Sequence, residues 1–306
     1  MSETSAAADL YSAIEISAGL LDLPCSHEKV WPILEAYEES LPNAVIAFRV
    51  GTGTRYTGDV DWRFAVPRDT DPYAVALEAG LTAATDHPCS SLLANLRERC
   101  PIDSYGVDFG VVGGFRKIYS VFDPNEMQKL STLADIPSMP PSLTENLGFF
   151  TRYGLDGDKV NIFAIDYRSR TVNIYFAGFP DQNREPETIR SMLRETGFPE
   201  PSEKMLTIGQ QGFGMYVTLG WDSPKIERFS LSMMTPDSRS LPIPIEPKIG
   251  RFLDSVLHDS ADPRFVYCAY LTPGGEEHFK VQAYHKWHSR MQRQMLLSDS
   301  AGQQGN

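Results

Sequence analysis

Thr171-Val172-Asn173-Ile174-Tyr175-Phe176, entered through Arg170, alternates strictly. Val172, Ile174 and Phe176 form one apolar face. Thr171, Asn173 and Tyr175 form the other, which is polar and aromatic. A period of two over this length predicts a strand with one face buried.

The same pattern recurs along the chain with stronger chemistry on the polar face. Asp59–Val66 sets Asp59, Asp61 and Arg63 against Val60, Trp62, Phe64 and Val66. Met215–Leu219 sets Tyr216 and Thr218 against Met215, Val217 and Leu219. Arg228–Met233 sets Arg228, Ser230 and Ser232 against Phe229, Leu231 and Met233. Phe279–Tyr284 sets Lys280, Gln282 and Tyr284 against Phe279, Val281 and Ala283. In Phe115–Tyr119, Lys117 and Tyr119 share a face. One such strand is an ordinary half-exposed sheet face. Several that repeat Lys, Arg and Tyr with few Glu suggest a surface that holds an anion beside an apolar group.

The strands pair into five hairpins: Ala44–Val50 with Asp59–Val66, Ser104–Gly110 with Phe115–Phe122, Val160–Asp166 with Thr171–Phe176, Phe213–Trp221 with Ile226–Met234, and Phe265–Leu271 with Phe279–Tyr284. Their turns fall near residues 54, 113, 168, 223 and 274, an internal repeat. Helical patterns separate them at 9–23, from Ser26 onward, and at Asp71–Leu81, Cys89–Cys100, Asn125–Leu133, Ser142–Tyr153, Pro186–Thr196, Ile245–Leu257 and His285–Leu297. Asp9 and Ser26 read as N-caps. Ten antiparallel strands carrying amphipathic helices relieve their edges by closing. The helices need an apolar sheet face, so the polar face lines the lumen. The expected fold is α+β: a ten-stranded barrel ringed by helices, one domain over residues 1–306, with 1–8 and 299–306 as disordered tails.

Composition narrows the function. A net charge of −12 argues against nucleic acid as a partner, which requires a basic surface. Cys25, Cys89, Cys100 and Cys268 are scattered with no CxxC, so neither a zinc site nor a disulfide framework is expected. Cys268, inside an apolar strand, reads as a small core residue. No apolar run reaches the ~18 residues of a membrane span, and the first eight residues have no signal-peptide character. The expected setting is a reducing cytoplasm, with no membrane partner and a monomeric chain.

Arg63, Lys117, Arg228 and Lys280 fall on the inferred lumen face, and Arg49 joins them at the end of its strand. Unpaired buried cations cost several kcal/mol each, and Asp59 and Asp61 offset only part of this. The excess calls for a polyanion. A diphosphate fits, with Thr171, Asn173 and Tyr216 adding hydrogen bonds. Tyr119, Tyr175 and Tyr216 share that face. Aromatic rings stabilise an adjacent cation by roughly 0.5–2 kcal/mol each, and a closed lumen excludes water. The set therefore suits loss of diphosphate from an allylic diphosphate. There is no DDxxD motif for metal-clustered prenyl synthase chemistry. A fully satisfied polar network is the competing reading of the same residues.

The chain resembles the ABBA-fold aromatic prenyltransferases of bacterial secondary metabolism from residue 9 to about residue 295. The segments that carry the resemblance are Asp71-Pro72-Tyr73-Ala74, Gly113-Gly114-Phe115-Arg116-Lys117, Ile136-Pro137-Ser138-Met139-Pro140-Pro141, Arg152-Tyr153-Gly154-Leu155 and Thr171–Phe176. The resemblance implies five αββα repeats around a solvent-filled lumen, and transfer of a prenyl group from its diphosphate to an electron-rich ring. By position it implies diphosphate binding at Lys117, Thr171, Asn173, Tyr216, Arg228 and Lys280. It implies a prenyl shield at Tyr119, Tyr175 and Tyr216, with Lys117, Tyr175, Tyr216 and Arg228 nearest the chemistry. It implies an acceptor pocket at Phe213, Ser232, Cys268, Gln282, Tyr284 and Trp287.

One departure matters. A magnesium-dependent member of that family uses an aspartate that matches Asp61, with two serines nearby; here those positions carry Arg49 and Arg63. A guanidinium can take the metal's place and meet the diphosphate directly. The expectation is an enzyme without metal or other cofactor, like members acting on naphthoquinone or phenazine precursors. Its substrates would be dimethylallyl or geranyl diphosphate, with a lean to dimethylallyl, and a small aromatic acceptor such as a dihydrophenazine carboxylate, a hydroxynaphthalene of the flaviolin type, or a phenolic acid. No residue is assigned as the base that takes the ring proton; Glu276, Glu277, His285 and His288 read as structural or surface groups. A barrel carrying a hydrophobic or phosphorylated metabolite without turnover is the alternative. A diphosphate hydrolase is disfavoured by the absence of a Ser-His-Asp signature.

Overall fold

A strand buried on one face and hydrogen-bonded on both edges has no free edge only if the sheet closes. The computed structural model of the chain, which describes residues 5–52, 58–237, 240, 245–255 and 265–286, meets that condition. Its strands are β1 (Ile46–Thr52), β2 (Val60–Pro67), β3 (Ile102–Gly110), β4 (Gly114–Phe122), β5 (Val160–Asp166), β6 (Thr171–Phe176), β7 (Gly212–Gly220), β8 (Arg228–Thr235), β9 (Phe265–Leu271) and β10 (Glu277–Lys286). Each runs antiparallel to its sequence neighbours, and β1 pairs with β10 to close the barrel. Gly114 (φ 72°) and Gly275 (φ 85°) supply the left-handed backbone of two hairpin turns.

The helices are α1 (Ala6–Leu20), α2 (His27–Ala36), α3 (Pro72–Glu78), α4 (Cys89–Arg99), α5 (Leu130–Ala134), α6 (Pro141–Glu145), α7 (Leu147–Arg152), α8 (Pro186–Glu195), α9 (Glu203–Gln210) and α10 (Pro247–Ser255). Their apolar sides meet the outward faces of the strands. Trp62, Phe64, Ile118, Phe163, Val172, Ile174, Val217 and Phe229 are buried there with Leu92, Leu96, Ile189 and Leu193. The lumen holds a second, separate apolar cluster, which includes Val45, Ala47, Tyr216, Val266, Cys268 and Tyr270. Two apolar layers separated by one sheet are what period-two alternation produces when both faces are covered.

Several local expectations are corrected. α1 begins at Ala6, capped by the Ser5 side chain on the Ala8 N–H, so Asp9 lies in its first turn and residues 6–8 are helical, not tail. Ser26 occupies an N-cap position without a side-chain bond. The span 125–133 is helical only from Leu130; Gln128 instead pairs with Val160. Ser142–Tyr153 breaks at Asn146, whose side-chain amide donates to the carbonyls of Ser142 and Pro224. α9 was not anticipated: Ser202 caps it by accepting from the Met205 N–H. His285 is the penultimate residue of β10 and packs its ring against Phe48, so no helix starts there. The remainder of that expected helix, with Trp287 and His288, lies outside the described residues, as do residues 1–4 and 299–306 of the expected tails. Among the described residues no helix is long and apolar enough to cross a membrane.

Candidate active site

Alternation places Asp61, Asp108, Lys117, Asp166, Asn173, Thr218, Arg228 and Lys280 on the lumen face, near one end of the barrel. A bulge adds to them. Lys117 stands opposite Asp108, but Phe115 stands opposite Phe109, so Arg116 has no partner residue across the ladder. The bulge lets Arg116 reach into the lumen beside Lys117.

Asp61 is the centre of this layer. Its Oδ2 accepts from Arg49 Nε at 3.1 Å, Arg116 Nη2 at 2.8 Å and Lys280 Nζ at 3.2 Å. Arg49 also bonds Asp108 through Nη2 and donates to Tyr119 Oη at 3.1 Å, and Tyr119 donates to Asp108 at 3.0 Å. Lys117 Nζ lies 3.3 Å from Asp166 and donates to Asn173 Oδ1 at 2.6 Å; Asn173 donates in turn to Thr218 at 2.6 Å. Thr171 Oγ1 is 2.9 Å from Ser169 Oγ. The Arg228 guanidinium and the Lys280 ammonium each stand 5.9 Å from the Tyr270 ring centroid.

The field in this layer follows from crowding. Burial pushes the Asp61 carboxyl up, but Lys280, Arg116 and Arg49 outweigh it and hold the group well below the usual carboxylate range. Burial likewise opposes charge on Asp166, and Lys117 with the Ser169 N–H reverses the effect. Lys280 is pulled down to about 7, first by burial and then by Arg49 and Arg116, against the pull of Asp61. Arg49, Arg63, Arg116, Lys117, Arg228 and Lys280 thus share the lumen with Asp61, Asp108 and Asp166, a two-to-one excess of cations among the described residues. Asp59, expected in this set, instead accepts from the Val112 and Gly113 N–H groups at 2.9 and 3.0 Å, holding the β3–β4 turn.

Beside the charged layer stand four phenol rings. Tyr175 stacks on Tyr216 with centroids 4.4 Å apart; Tyr119 lies 6.0 Å from Tyr175, and Tyr270 meets Tyr216 edge-on at 5.6 Å. Burial raises the pKa values of Tyr175, Tyr216 and Tyr270, so these phenols stay neutral near pH 7.

Two cavities open from this aromatic layer. The larger, about 310 Å³, is lined by Tyr175, Tyr216, Phe213, Ser232, Cys268 and Gln282, among others. The smaller, about 210 Å³, is lined by Ala47, Ala65, Gly106, Tyr119 and Tyr284, among others. Arg63, Val121 and Ile162 line both. Cys268 faces the larger cavity, 3.2 Å from Ser232 Oγ, and so is not part of the helix-covered core as its apolar strand suggested. Arg63 lies apart from Asp61, with its guanidinium on Gln282 Oε1 at 3.2 Å and 4.8 Å over the Tyr119 ring.

Arg116, Asp108, Asp166 and Tyr270 are the site residues that sequence reasoning missed. Three carried a signal. Asp108 shares a period-two face with Gly106 and Ser104, Asp166 sits directly opposite Thr171 across its hairpin, and Tyr270 follows Cys268 by two. Arg116 carried none, because a bulge is invisible to alternation. Glu277 accepts from the Ser202 N–H at 2.9 Å and so secures α9, and Glu276 is 3.6 Å from His278 in the hairpin turn. Among the described residues, no three His, Cys, Asp or Glu side chains converge on a point that could hold a metal ion.

The chain matches the family model described as "Aromatic prenyltransferase Orf2" over residues 5–294. It is 50% identical to the flaviolin linalyltransferase of Streptomyces virginiae over 94% of this chain and 95% of that one. It is 48% identical to the 5,10-dihydrophenazine-1-carboxylate 9-dimethylallyltransferase of Streptomyces anulatus over 98% of this chain and 100% of that one. Among solved structures, that of 5-dimethylallyltryptophan synthase from Streptomyces coelicolor superposes with a TM-score of 0.56 at 11% identity, covering 92% of this chain and 97% of that chain. That last likeness concerns the barrel fold alone.

Proposed function

This chain belongs to the aromatic prenyltransferase Orf2 family, and from that premise we propose that it transfers a dimethylallyl group, without magnesium, to a dihydrophenazine carboxylate or a flaviolin-type hydroxynaphthalene. Geranyl diphosphate is the alternative donor, since one close relative is named a linalyltransferase. The observation that carries the metal-free reading is Asp61. Its Oδ2 is met by three cations within 3.2 Å. A carboxylate so engaged is a poor magnesium ligand, because a divalent ion would have to enter beside Arg49, Arg116 and Lys280 against their repulsion. The donor set fits an anion and does not fit the metal.

The cations act on charge as it develops. The C1–O bond of the prenyl diphosphate breaks, and the electron pair leaves with the diphosphate. Lys117, Arg228, Lys280, Arg49 and Arg116 stabilise that growing negative charge from fixed positions, an electrostatic contribution that needs little reorganisation. Thr171, Asn173 and Tyr216 add hydrogen bonds. The allylic cation left behind faces Tyr119, Tyr175, Tyr216 and Tyr270, whose ring faces favour positive charge. An acceptor ring carbon bonds to prenyl C1, and the ring then loses its proton. The larger cavity holds the acceptor by contacts with Phe213, Ser232, Cys268 and Gln282, so positioning supplies much of the rate.

The test is product formation from dimethylallyl and geranyl diphosphate with each acceptor class, in EDTA and in magnesium. Equal rates in both are expected. Product only with magnesium sinks the metal-free reading and keeps the transferase. Dimethylallyl product at no measurable rate beside fast geranyl product reverses the donor choice.

A further inference from the structure

Arg63 differs from four of the other lumen cations. Arg49, Arg116, Lys117 and Lys280 each form an ion pair with a lumen aspartate. Arg63 forms none among the described residues. Its guanidinium rests on the carbonyl end of Gln282 and on the Tyr119 ring, and it is close enough to Tyr284 to lower that phenol's pKa, which burial pushes up to about 12. Asp108, the aspartate whose field reaches it, is already bonded to Arg49 and Tyr119. Arg63 also lines both cavities, together with the apolar Val121 and Ile162.

A half-buried cation without a carboxylate partner among the described residues, placed where two cavities meet, calls for an anion from the ligand. The diphosphate has its own cations around Asp61 and Asp166. Val121 and Ile162 offer an apolar surface for a ring, and Arg63 offers a planar fork for its charged oxygen. Resting on the transferase reading for the identity of the ligand, we propose that Arg63 is the specificity determinant of the acceptor: with Gln282 and Tyr284 it binds the anionic oxygen substituent of an aromatic acid or an ionised hydroxyarene. Arg63 is thereby reassigned from the diphosphate to the acceptor. Gln282 fits the role, since its Oε1 accepts from Arg63 while its Nε2 donates to Tyr284 at 2.8 Å, fixing the guanidinium. Gly106 leaves room for it; a Cβ there would lie 3.3 Å from Arg63 Cδ.

The experiment compares the wild-type chain with Arg63→Gln and Arg63→Lys. Acceptors are used in charged and neutral pairs: a dihydrophenazine carboxylate with its carboxamide, and a hydroxynaphthoquinone with its methyl ether. Direct acceptor binding is read by quenching of protein fluorescence, which needs no turnover, and KM values are read with dimethylallyl diphosphate. Arg63→Gln should weaken the charged acceptor ~10–100-fold, the range for loss of a charge-assisted hydrogen bond. It should leave the neutral partner and the KM for the prenyl diphosphate within about twofold. Arg63→Lys, which keeps the charge, should recover part of the loss, and a matching thermal melt separates either effect from misfolding. The pair that responds identifies the anion as carboxylate or ionised hydroxyl. A raised KM for the prenyl diphosphate with acceptor binding unchanged returns Arg63 to the diphosphate and overturns the proposal. So does equal weakening of the charged and neutral acceptors. Charge-dependent acceptor binding with no prenylated product would uphold the role of Arg63 while the transferase reading fails.

Discussion

The two faces of one barrel wall are built from the same strands and behave as opposites. On the outer face Trp62, Phe64, Phe163, Ile174 and Phe229 are almost wholly buried against helices, and their contribution is complete once the chain folds. On the inner face Asp61, Lys117, Lys280 and Asn173 are buried almost as deeply, joined to one another and to their neighbours by ion pairs and hydrogen bonds. Cations there outnumber carboxylates, so a free-energy deficit persists that an anionic ligand can relieve. Burial therefore says little about role. What separates a core from a site is whether its charges already balance.

That contrast can be broken at three places, taken from the largest expected effect. Phe163→Ala empties the outer layer and should lower unfolding free energy by about 3–5 kcal/mol. Urea titration should show added inorganic diphosphate raising stability by the same amount in this variant as in wild type, since the anion site is untouched. A larger ligand gain in the variant would mean that the two faces are energetically coupled.

Asp61→Asn acts on the inner face. It removes the carboxylate shared by Arg49, Arg116 and Lys280, and should destabilise the free chain by about 3 kcal/mol, the low end for breaking a buried ion pair. Here diphosphate should restore more stability than it adds to wild type, because the anion replaces the missing negative charge. Equal gains in the two proteins would show that Asp61 does not balance the cations that meet the ligand.

The smallest effect is in pH. Lys280 falls to about 7 from an ordinary lysine value near 10.5, chiefly through burial. Between those values the unfolded chain holds a proton that the folded chain has released. This group's contribution to stability therefore rises with pH from about 7 upward and is flat below. Diphosphate binding runs the other way. The anion favours charged Lys280, so affinity should be highest below pH 7 and fall as pH rises through it, with proton uptake on binding in calorimetry. Lys280→Met should abolish this proton uptake; uptake that persists in the variant places the titrating group elsewhere.

The faces themselves were legible from the chain. Strict alternation in Thr171–Phe176 and, from Val60 onward, in Asp59–Val66 assigned inner and outer positions that the barrel keeps, and five hairpins were legible with their turns at regular spacing. Local helices were less legible. At 125–129 a helical pattern lost to pairing of Gln128 with the first residue of β5. At 203–210 a short capped helix was overlooked beside Pro199 and Pro201. The site divided in the same way. Lys117, Asn173, Arg228 and Lys280 followed from the period. The resemblance, not the period, set Arg49 and Arg63 near Asp61; Arg49 does bond Asp61, whereas Arg63 lies with Gln282 and Tyr119.

By itself the sequence determined which side of each strand carries charge, because a period of two is a local property of an extended backbone. Only the tertiary structure decided which charges meet. Lys280 reaches Asp61 across 219 residues of chain because β10 and β2 both flank β1. Arg116 joins them because a bulge in β4 turns an extra side chain inward. Closure and bulge are set by ladder register between distant segments, and the inner-face charges balance or fail to balance only once that register is fixed.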